Sequence, residues 1–509
     1  MPQLGTCPSI RSNIVSPITV AAVDLGAESG RVMRAAFDGR TLRLDEAHRF
    51  PNQAVRLAVG DRISLHWDVL RLFHEIKQGI ARAAQHGDIA AVGLDTWGVD
   101  FALLDSRDRL LGNPHCYRDP RTDGVLDQLL QRVPRAEIFE RTGIQFLTFN
   151  TIVQMAAMAY AQDPLLDAAR TFLTIPDLFN FWLSGRKACE FSNATTTQMY
   201  DTRAGAWAHG LLASAGIPSH FLPEVVAPGA VLGELQRAVA DELGVRRMPV
   251  IAPACHDTGS AVAGAPLRSR HAAYISSGTW SLVGAEAASP VINAQALAGN
   301  FTNEGGVGGT SRVLKNVMGL WLLQESRRTW AAEGREYGYG ELAALAADAT
   351  PFAHIIDPDD AAFLAPGDMP ARIRAWCAER GLPQPGSVAE IARCIFDSLA
   401  LKYRLVIDAL ADMLGYELSV VHVVGGGSQN ELLCQLTADV AGRPVVAGPV
   451  EATAIGNALV QLIALGAVAN LDEGRAMVAE SFAAKTYAPR HDARVEEAYA
   501  RFQKLATLA

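Results

Sequence analysis

Apolar residues along this chain fall into two rhythms, and the order of the rhythms predicts a layered α/β protein. Ile18 to Val23 is a short apolar run that meets Asp24, bends through Gly26-Ala27-Glu28-Ser29-Gly30, and leaves again as an apolar run ending at Phe37. Short apolar runs bounded by turn residues read as strands, so a meander is expected at about 18–25, 31–37 and 41–50. From Trp67 to Gln85 the spacing changes: apolar residues at 69, 70, 73, 76, 80 and 83 follow a helical period. Ile89 to Leu94 then reads as a buried strand ending at Asp95, with Gly98 to Leu104 as another. A meander, a helix and a further strand predict a mixed sheet with helices packed on it.

The same pattern returns in the second half. Ala272 to Gly284 is again an apolar strand, a Ser277-Gly278 bend and an apolar strand, and the paired Ser-Gly steps at 29 and 277 are about half the chain apart. That offset is what a duplicated domain produces. Residues 122–245 read as helices and loops rich in Pro and Gly. Pro249 to Ala254 predicts a strand leading into Cys255-His256-Asp257-Thr258 and a small-residue helix from Gly259 to Gly264. Lys315-Asn316 reads as the start of a helix reaching about 328, which carries Trp321 and Gln324. Near the end, Val420 to Val424 runs into Gly425-Gly426-Gly427, followed by a helix (431–440), a strand (444–447) and a last helix after Thr453. The expected division is a flexible extension (1–17), a first domain (18–265) and a second (266–509).

Composition narrows the classes. A length of 509 residues exceeds what one core usually organises, and 49% hydrophobic with 19% charged residues is ordinary for a folded soluble protein. The net charge of −9 disfavours broad binding to nucleic acid or anionic membranes. Seven cysteines are scattered, without C-x-x-C, and read as reduced packing thiols. No apolar stretch reaches membrane-spanning length, so a cytoplasmic protein is expected, as monomer or homodimer.

The chemistry starts at the first bend. A tight Gly/Ser turn exposes backbone N–H groups suited to phosphate oxygens, and Asp24 beside it could hold the water shell of Mg²⁺. Neither a Walker loop nor a dinucleotide fingerprint fits, because a strand and not a helix follows the glycines. Two such hairpins facing each other could grip a polyphosphate from both sides. Three glycines at 425–427 leave backbone bare enough for a flat ligand. Asp257 is either a helix N-cap or the acceptor of a proton from a substrate hydroxyl, a role that phosphoryl transfer needs filled once. His256 reads equally as a substrate hydrogen-bonder or a packed imidazole. Asp95-Thr96-Trp97-Gly98-Val99-Asp100-Phe101 combines an aromatic, polar groups and a glycine, as a sugar site does, although Trp97 also reads as a core residue.

These segments together resemble the FGGY carbohydrate kinases over about residues 18–490. The matching strings are Asp24 to Arg31, Asp95 to Phe101, Tyr117-Arg118-Asp119, Thr142 to Phe146, and Asn193 to Gln198. His256-Asp257-Thr258, Ser277 to Leu282, Asn316 to Gln324 and Gly425 to Asn457 complete the set. The resemblance implies two actin-like, ribonuclease-H-like lobes around a cleft, and transfer of the γ-phosphate of ATP to O1 of L-rhamnulose. By position it implies that Ala27, Glu28, Ser29, Gly30, Arg31, Thr279, Gln324 and Gly426 hold ATP. Gly98, His256, Thr258 and Asn316 would touch the sugar, Asp257 would accept the proton, and Asp24 would orient hydrated Mg²⁺. Glu28 departs from the family, which has a small hydroxyl residue there. Other FGGY specificities (L-fuculose, xylulose, another ketose or glycerol) and an actin- or Hsp70-like ATPase are the alternatives.

Overall fold

A computed structural model describes residues 17–506; the expected extension, residues 1–17, lies outside them except for Pro17. The first lobe is built on six strands: β1 (Ile18–Leu25), β2 (Ser29–Phe37), β3 (Leu42–Pro51), β4 (Ala91–Thr96), β5 (Val231–Glu234) and β6 (Pro249–Ile251), in the order β3-β2-β1-β4-β6-β5. β1 and β2 form the expected antiparallel hairpin, while β4 and β6 run parallel to β1. The second lobe holds β7 (Ala272–Ser277), β8 (Trp280–Ala287), β9 (Thr302–Gly305), β10 (Ser311–Met318), β11 (Val420–Val424), β12 (Val445–Ala447) and β13 (Lys485–Tyr487), ordered β9-β10-β8-β7-β11-β12-β13. Setting β9 aside, the two sheets share one pattern. A hairpin is flanked by an antiparallel strand on one side and by two parallel strands and an antiparallel edge on the other. The repeat predicted from the two Ser-Gly bends is thus a repeat of topology.

The amphipathic helix α1 (Val69–Ala84) forms where its spacing predicted, N-capped by Asp68. Its buried face is Val69, Leu72, Ile76, Gly79, Ile80 and Ala83, and Leu70, counted as apolar-periodic from sequence, is 64% exposed.

The strand expected over Gly98 to Leu104 forms at Phe101–Leu104 and pairs with Thr171–Thr174 outside the main sheet. Two expectations are corrected. Lys315 and Asn316 do not open a helix: they sit on β10, which pairs with both β8 and β9. Lys315 and Asn316 pair with Val283 and Leu282 of β8, which overrides the local helical spacing there, and the helix α2 (Trp321–Ala332) begins only after Gly319-Leu320. The helix after Thr453 is not the last, since two more helices and β13 follow it. A 27-residue helix, Val388–Leu414, which the sequence reading did not single out, supports the second sheet, and Ser387 with Glu390 forms its capping box.

The lobes meet along two helices. Asp257–Ala263 follows β6, and Ala452–Ala464 follows β12. They cross with their backbones nearly touching: a Cβ on Gly456 would lie 1.8 Å from the Ser260 carbonyl, and one on Gly264 would lie 2.2 Å from that of Ala452. The Ala452–Ala464 helix also packs Ile455, Ala458, Leu459 and Leu462 beneath Val20, Ala22 and Met33 of the first sheet. Gln461 Nε2 donates to the Ala21 carbonyl at 3.0 Å, and Asn457 Nδ2 donates to Val23 O at 3.2 Å. Glycines at the crossing let the two helices approach with little side-chain bulk between them.

Candidate active site

Parallel strands deliver their carboxyl ends to one edge of a sheet, which is where α/β proteins place ligands. Here β1 and β4 run in register with Asp24 opposite Asp95. Beyond β6 the chain passes alongside β4, with Thr96 bridging to His256. Asp24 and Asp257 therefore lie at the floor of the gap between the lobes, with Asp95 wholly buried beside them. Burial first, and then the charge of Asp24, push the Asp95 carboxyl well above the ordinary carboxylate range. Asn457 Nδ2 donates to its Oδ2 at 2.6 Å, but its Oδ1 is buried without a partner. Of these acids it is Asp24, which lines the cleft, that suits a hydrated divalent cation.

The gap is a cavity of about 720 Å³, lined from both lobes. Asp24, Ala27, Glu28, Ser29 and Arg31 enter from the first hairpin, and Ser277, Gly278 and Thr279 from the second. Gly98, His256, Asp257, Thr258, Asn316, Gln324 and Gly426 line it as well. Gly30 is the one expected site residue that does not. It is buried against Phe50 and Leu25, where a Cβ would lie 2.4 Å from the Phe50 ring, so it serves the packing of the turn.

Each bend is held in shape by named contacts. Gly26 N–H donates to Ser29 O at 2.9 Å, and Asn52 braces the same turn, its Nδ2 donating to Gly26 O at 2.8 Å and its N–H to Glu28 O at 2.9 Å. The opposite bend supports α2, since Leu320 N–H donates to Gly278 O and Trp321 N–H to Thr279 O, both at 3.1 Å. Arg31 points into the cleft, but its guanidinium is held by Asp24 (2.7 Å) and by Glu451 of the second lobe (2.7 Å). Glu28 pairs across the cleft with Arg328 on α2 at 3.2 Å, with both side chains about half exposed. That contact accounts for a carboxylate at a position where the resemblance implied a hydroxyl. The three glycines divide their work: Gly425 has φ +81° and packs with Gly427 on Ser277, whereas only Gly426 has open space above it.

Asp257 is the first residue of its helix, with His256 as N-cap. Its Oδ1 accepts from Thr258 N–H at 2.6 Å, and about 29% of the side chain is exposed. Burial, with a contribution from Asp24, raises its carboxyl above the usual value, against the opposing pull of His256. His256 Nε2 lies 3.4 Å from Asp257 Oδ1, and its Nδ1 lies 3.1 Å from Glu304 Oε2. The imidazole is thus neither free nor merely packed.

Gly98 reaches the cleft because Val99 holds φ +67°, a strained conformation for a β-branched residue. Val99 O accepts from Thr151 Oγ1 at 2.6 Å, and Val99 N–H donates to Thr196 Oγ1 at 3.2 Å. Trp97 is both core and wall: it packs on Trp67, donates Nε1–H to Asp100 Oδ2 at 2.9 Å, and lines the cavity. Trp321 likewise lines the cavity, with the Arg118 guanidinium 4.9 Å from its ring centroid. Glu304, Gln145 and Arg118 also face the cleft. Gln145 and Arg118 stand within strings that matched the family, whereas Glu304 carries no local signal in the sequence.

Two α/β lobes with twin hairpins closing on a carboxylate-floored cleft define a phosphotransferase-type architecture. This chain belongs to the FGGY family of carbohydrate kinases: the N-terminal domain model of that family matches residues 19–264 and the C-terminal domain model residues 273–465. Among its relatives, a protein named rhamnulokinase from Bacteroides thetaiotaomicron is 42% identical over 95% of this chain and 98% of its own. A rhamnulokinase from Pectobacterium carotovorum is 45% identical over 96% of both chains. In fold, the chain resembles ligand-bound xylulose kinase from Lactobacillus acidophilus (TM-score 0.78, 18% identity, 96% of each chain). It also resembles Plasmodium falciparum glycerol kinase with ADP (TM-score 0.76, 15% identity, 96% and 97%). Among the described residues no helix is long and apolar enough to cross a membrane, and the six described cysteines are free and buried.

Proposed function

We propose that this protein transfers the γ-phosphoryl group of ATP to O1 of L-rhamnulose, giving L-rhamnulose 1-phosphate and ADP, in the cytoplasm. The observation that carries the reading is Asp257, a partly exposed carboxylate at the floor of a cleft whose two walls each end in a phosphate-suited bend. Identity of 42–45% over nearly the whole chain to proteins named rhamnulokinase supports the choice of sugar.

In this reading the polyphosphate lies between the Ala27–Ser29 bend and the Gly278-Thr279 bend, met by backbone N–H groups. Gly426 offers a bare surface to the nucleoside, and Gln324, whose Oε1 is buried without a partner, offers it an acceptor. Gly98, His256, Thr258 and Asn316 contact the sugar. Asp257 takes the proton of the O1 hydroxyl as the new O–P bond forms and the bond from the γ-phosphorus to ADP breaks. Asp24 would hold Mg²⁺ through water; among the described residues no three His, Cys, Asp or Glu side chains converge on a bare ion. When bound, Mg²⁺ supplies neutralisation of charge on the phosphate oxygens. The two lobes exclude water from the acceptor, which keeps ATP from being hydrolysed instead.

A panel of ketoses and glycerol with coupled detection of ADP tests this. L-rhamnulose should give the highest kcat/KM. A preference for L-fuculose or xylulose would replace the sugar, and full-rate ADP release without any acceptor would replace the kinase reading altogether.

A further inference from the structure

Gln145 is 4% exposed and lines the cleft from the first lobe, on the segment after the Arg135–Thr142 helix. Its backbone is immobilised by a chain of buried amides. Asn150 Nδ2 donates to the Gln145 carbonyl at 2.7 Å and to Gln198 Oε1 at 2.9 Å, while Gln198 Nε2 donates to the neighbouring Ile144 carbonyl at 3.0 Å. Its side chain reaches across the cleft to β10. Gln145 Oε1 accepts from the Asn316 backbone N–H at 3.3 Å and from Asn316 Nδ2 at 3.0 Å.

These two bonds settle which way both amides point. A backbone N–H can only donate, so the oxygen end of Gln145 must face Asn316 and its NH₂ end must face elsewhere. With its Nδ2 given to Gln145, Asn316 in turn keeps Oδ1 for another partner. Neither Gln145 Nε2 nor Asn316 Oδ1 makes a hydrogen bond among the described residues, and both residues line the cavity. One lobe thus presents an amide donor and the other an amide acceptor to the same cavity. A hydroxyl group uses both: it accepts from the amide N–H and donates to the amide oxygen.

We propose that Gln145 is a specificity-determining residue for the sugar, pairing with Asn316 across the lobes to recognise one secondary hydroxyl of the ketose. The proposal rests on the kinase reading above but not on which ketose is used. Binding of that hydroxyl also bridges the first lobe and the second, since the donor lies on the segment after the Arg135–Thr142 helix and the acceptor on β10. Polar groups built to pair with a substrate hydroxyl discriminate strongly against an analogue that lacks it, because they are then left unpaired.

The test uses Gln145→Glu, which keeps the acceptor for Asn316 and loses the NH₂ donor, and Gln145→Met, which removes both. Steady-state kinetics with the preferred ketose should show KM for the sugar raised at least about tenfold in both, with KM for ATP within about threefold of wild type. A series of monodeoxy ketoses supplies the decisive comparison. Wild type should discriminate against one member about tenfold or more, and this discrimination should collapse towards unity in Gln145→Glu. If the variant weakens every sugar equally and keeps the wild-type deoxy pattern, Gln145 is only a brace for Asn316 and the proposal falls. An unchanged sugar KM overturns it as well. Because the series is run on whichever ketose the enzyme prefers, a wrong sugar in the functional reading leaves this test intact, and the absence of sugar-dependent turnover would instead remove the kinase reading on which it stands.

Discussion

Glu304 Oε2 lies 3.1 Å from Nδ1 of His256, although the two residues belong to different lobes. Glu304 stands on β9 at the edge of the second sheet, and His256 caps the helix that starts with Asp257. Arg312 on neighbouring β10 completes the group, with Nη2 3.1 Å from Glu304 Oε2 and Nε donating to the Gly305 carbonyl at 2.9 Å. Arg312 is wholly buried with Glu304 as its counter-charge, and burial of Glu304 is offset first by Arg312 and then by His256.

Glu304→Leu removes the carboxylate and leaves the Arg312 guanidinium buried without a counter-charge. Breaking a buried pair from one side typically costs about 3–5 kcal/mol. Denaturant unfolding should show a loss of that order, and Glu304→Gln, which keeps one acceptor, should lose less. A loss below about 1 kcal/mol for the leucine variant would mean that the pair is solvated in solution.

Asp257→Asn keeps the size of the side chain and removes its ability to accept a proton. Turnover should drop by about 10²–10⁴, while ATP and sugar affinities, read by calorimetry, stay close to those of wild type. Turnover within tenfold of wild type would remove Asp257 from the role of base.

The same residue sets a pH dependence. As the proposed base, Asp257 would act only when ionised, and burial with the nearby Asp24 raises its carboxyl above the ordinary aspartate value of 3.8. Activity is therefore present above the raised value and lost as pH falls through it, so the acid limb of kcat/KM should lie higher than an exposed aspartate would place it. A limb at or below the ordinary value in the pH–rate profile contradicts this assignment.

Gly456→Ala tests the crossing of the two helices. A methyl group there would sit 1.8 Å from the Ser260 carbonyl and 2.7 Å from the Gly264 nitrogen, so the two helices must move apart. Overpacking of this kind usually costs about 1–3 kcal/mol. Because the Ala452–Ala464 helix also carries Asn457, the donor to Asp95, activity should fall with melting temperature. An alanine variant with wild-type stability and turnover would show that the crossing tolerates separation.

Residue order alone determined much of this protein. The strand-bend-strand units around Gly26 and Gly278, the Asp257 helix and the strand leading into Gly425 are local patterns, written in apolar spacing and turn residues, and they formed as read. The sugar named for the enzyme, by contrast, was legible only through whole-chain resemblance, since spacing carries no stereochemistry. Tertiary structure decided the rest. Asn316 sits on a strand because it pairs with Leu282 of β8, a constraint that its own helical spacing does not contain. Gly30, Gly425 and Gly427 look alike in sequence to Gly426, yet three of the four are consumed by close packing and one is left facing open space. Glu304 has no signature at all, and its meaning comes from being folded against a histidine 48 positions earlier in the chain. Hydrophobic period and turn chemistry act over a few residues, whereas charge pairing and van der Waals contact act over a few ångströms, and only the folded chain converts the one into the other.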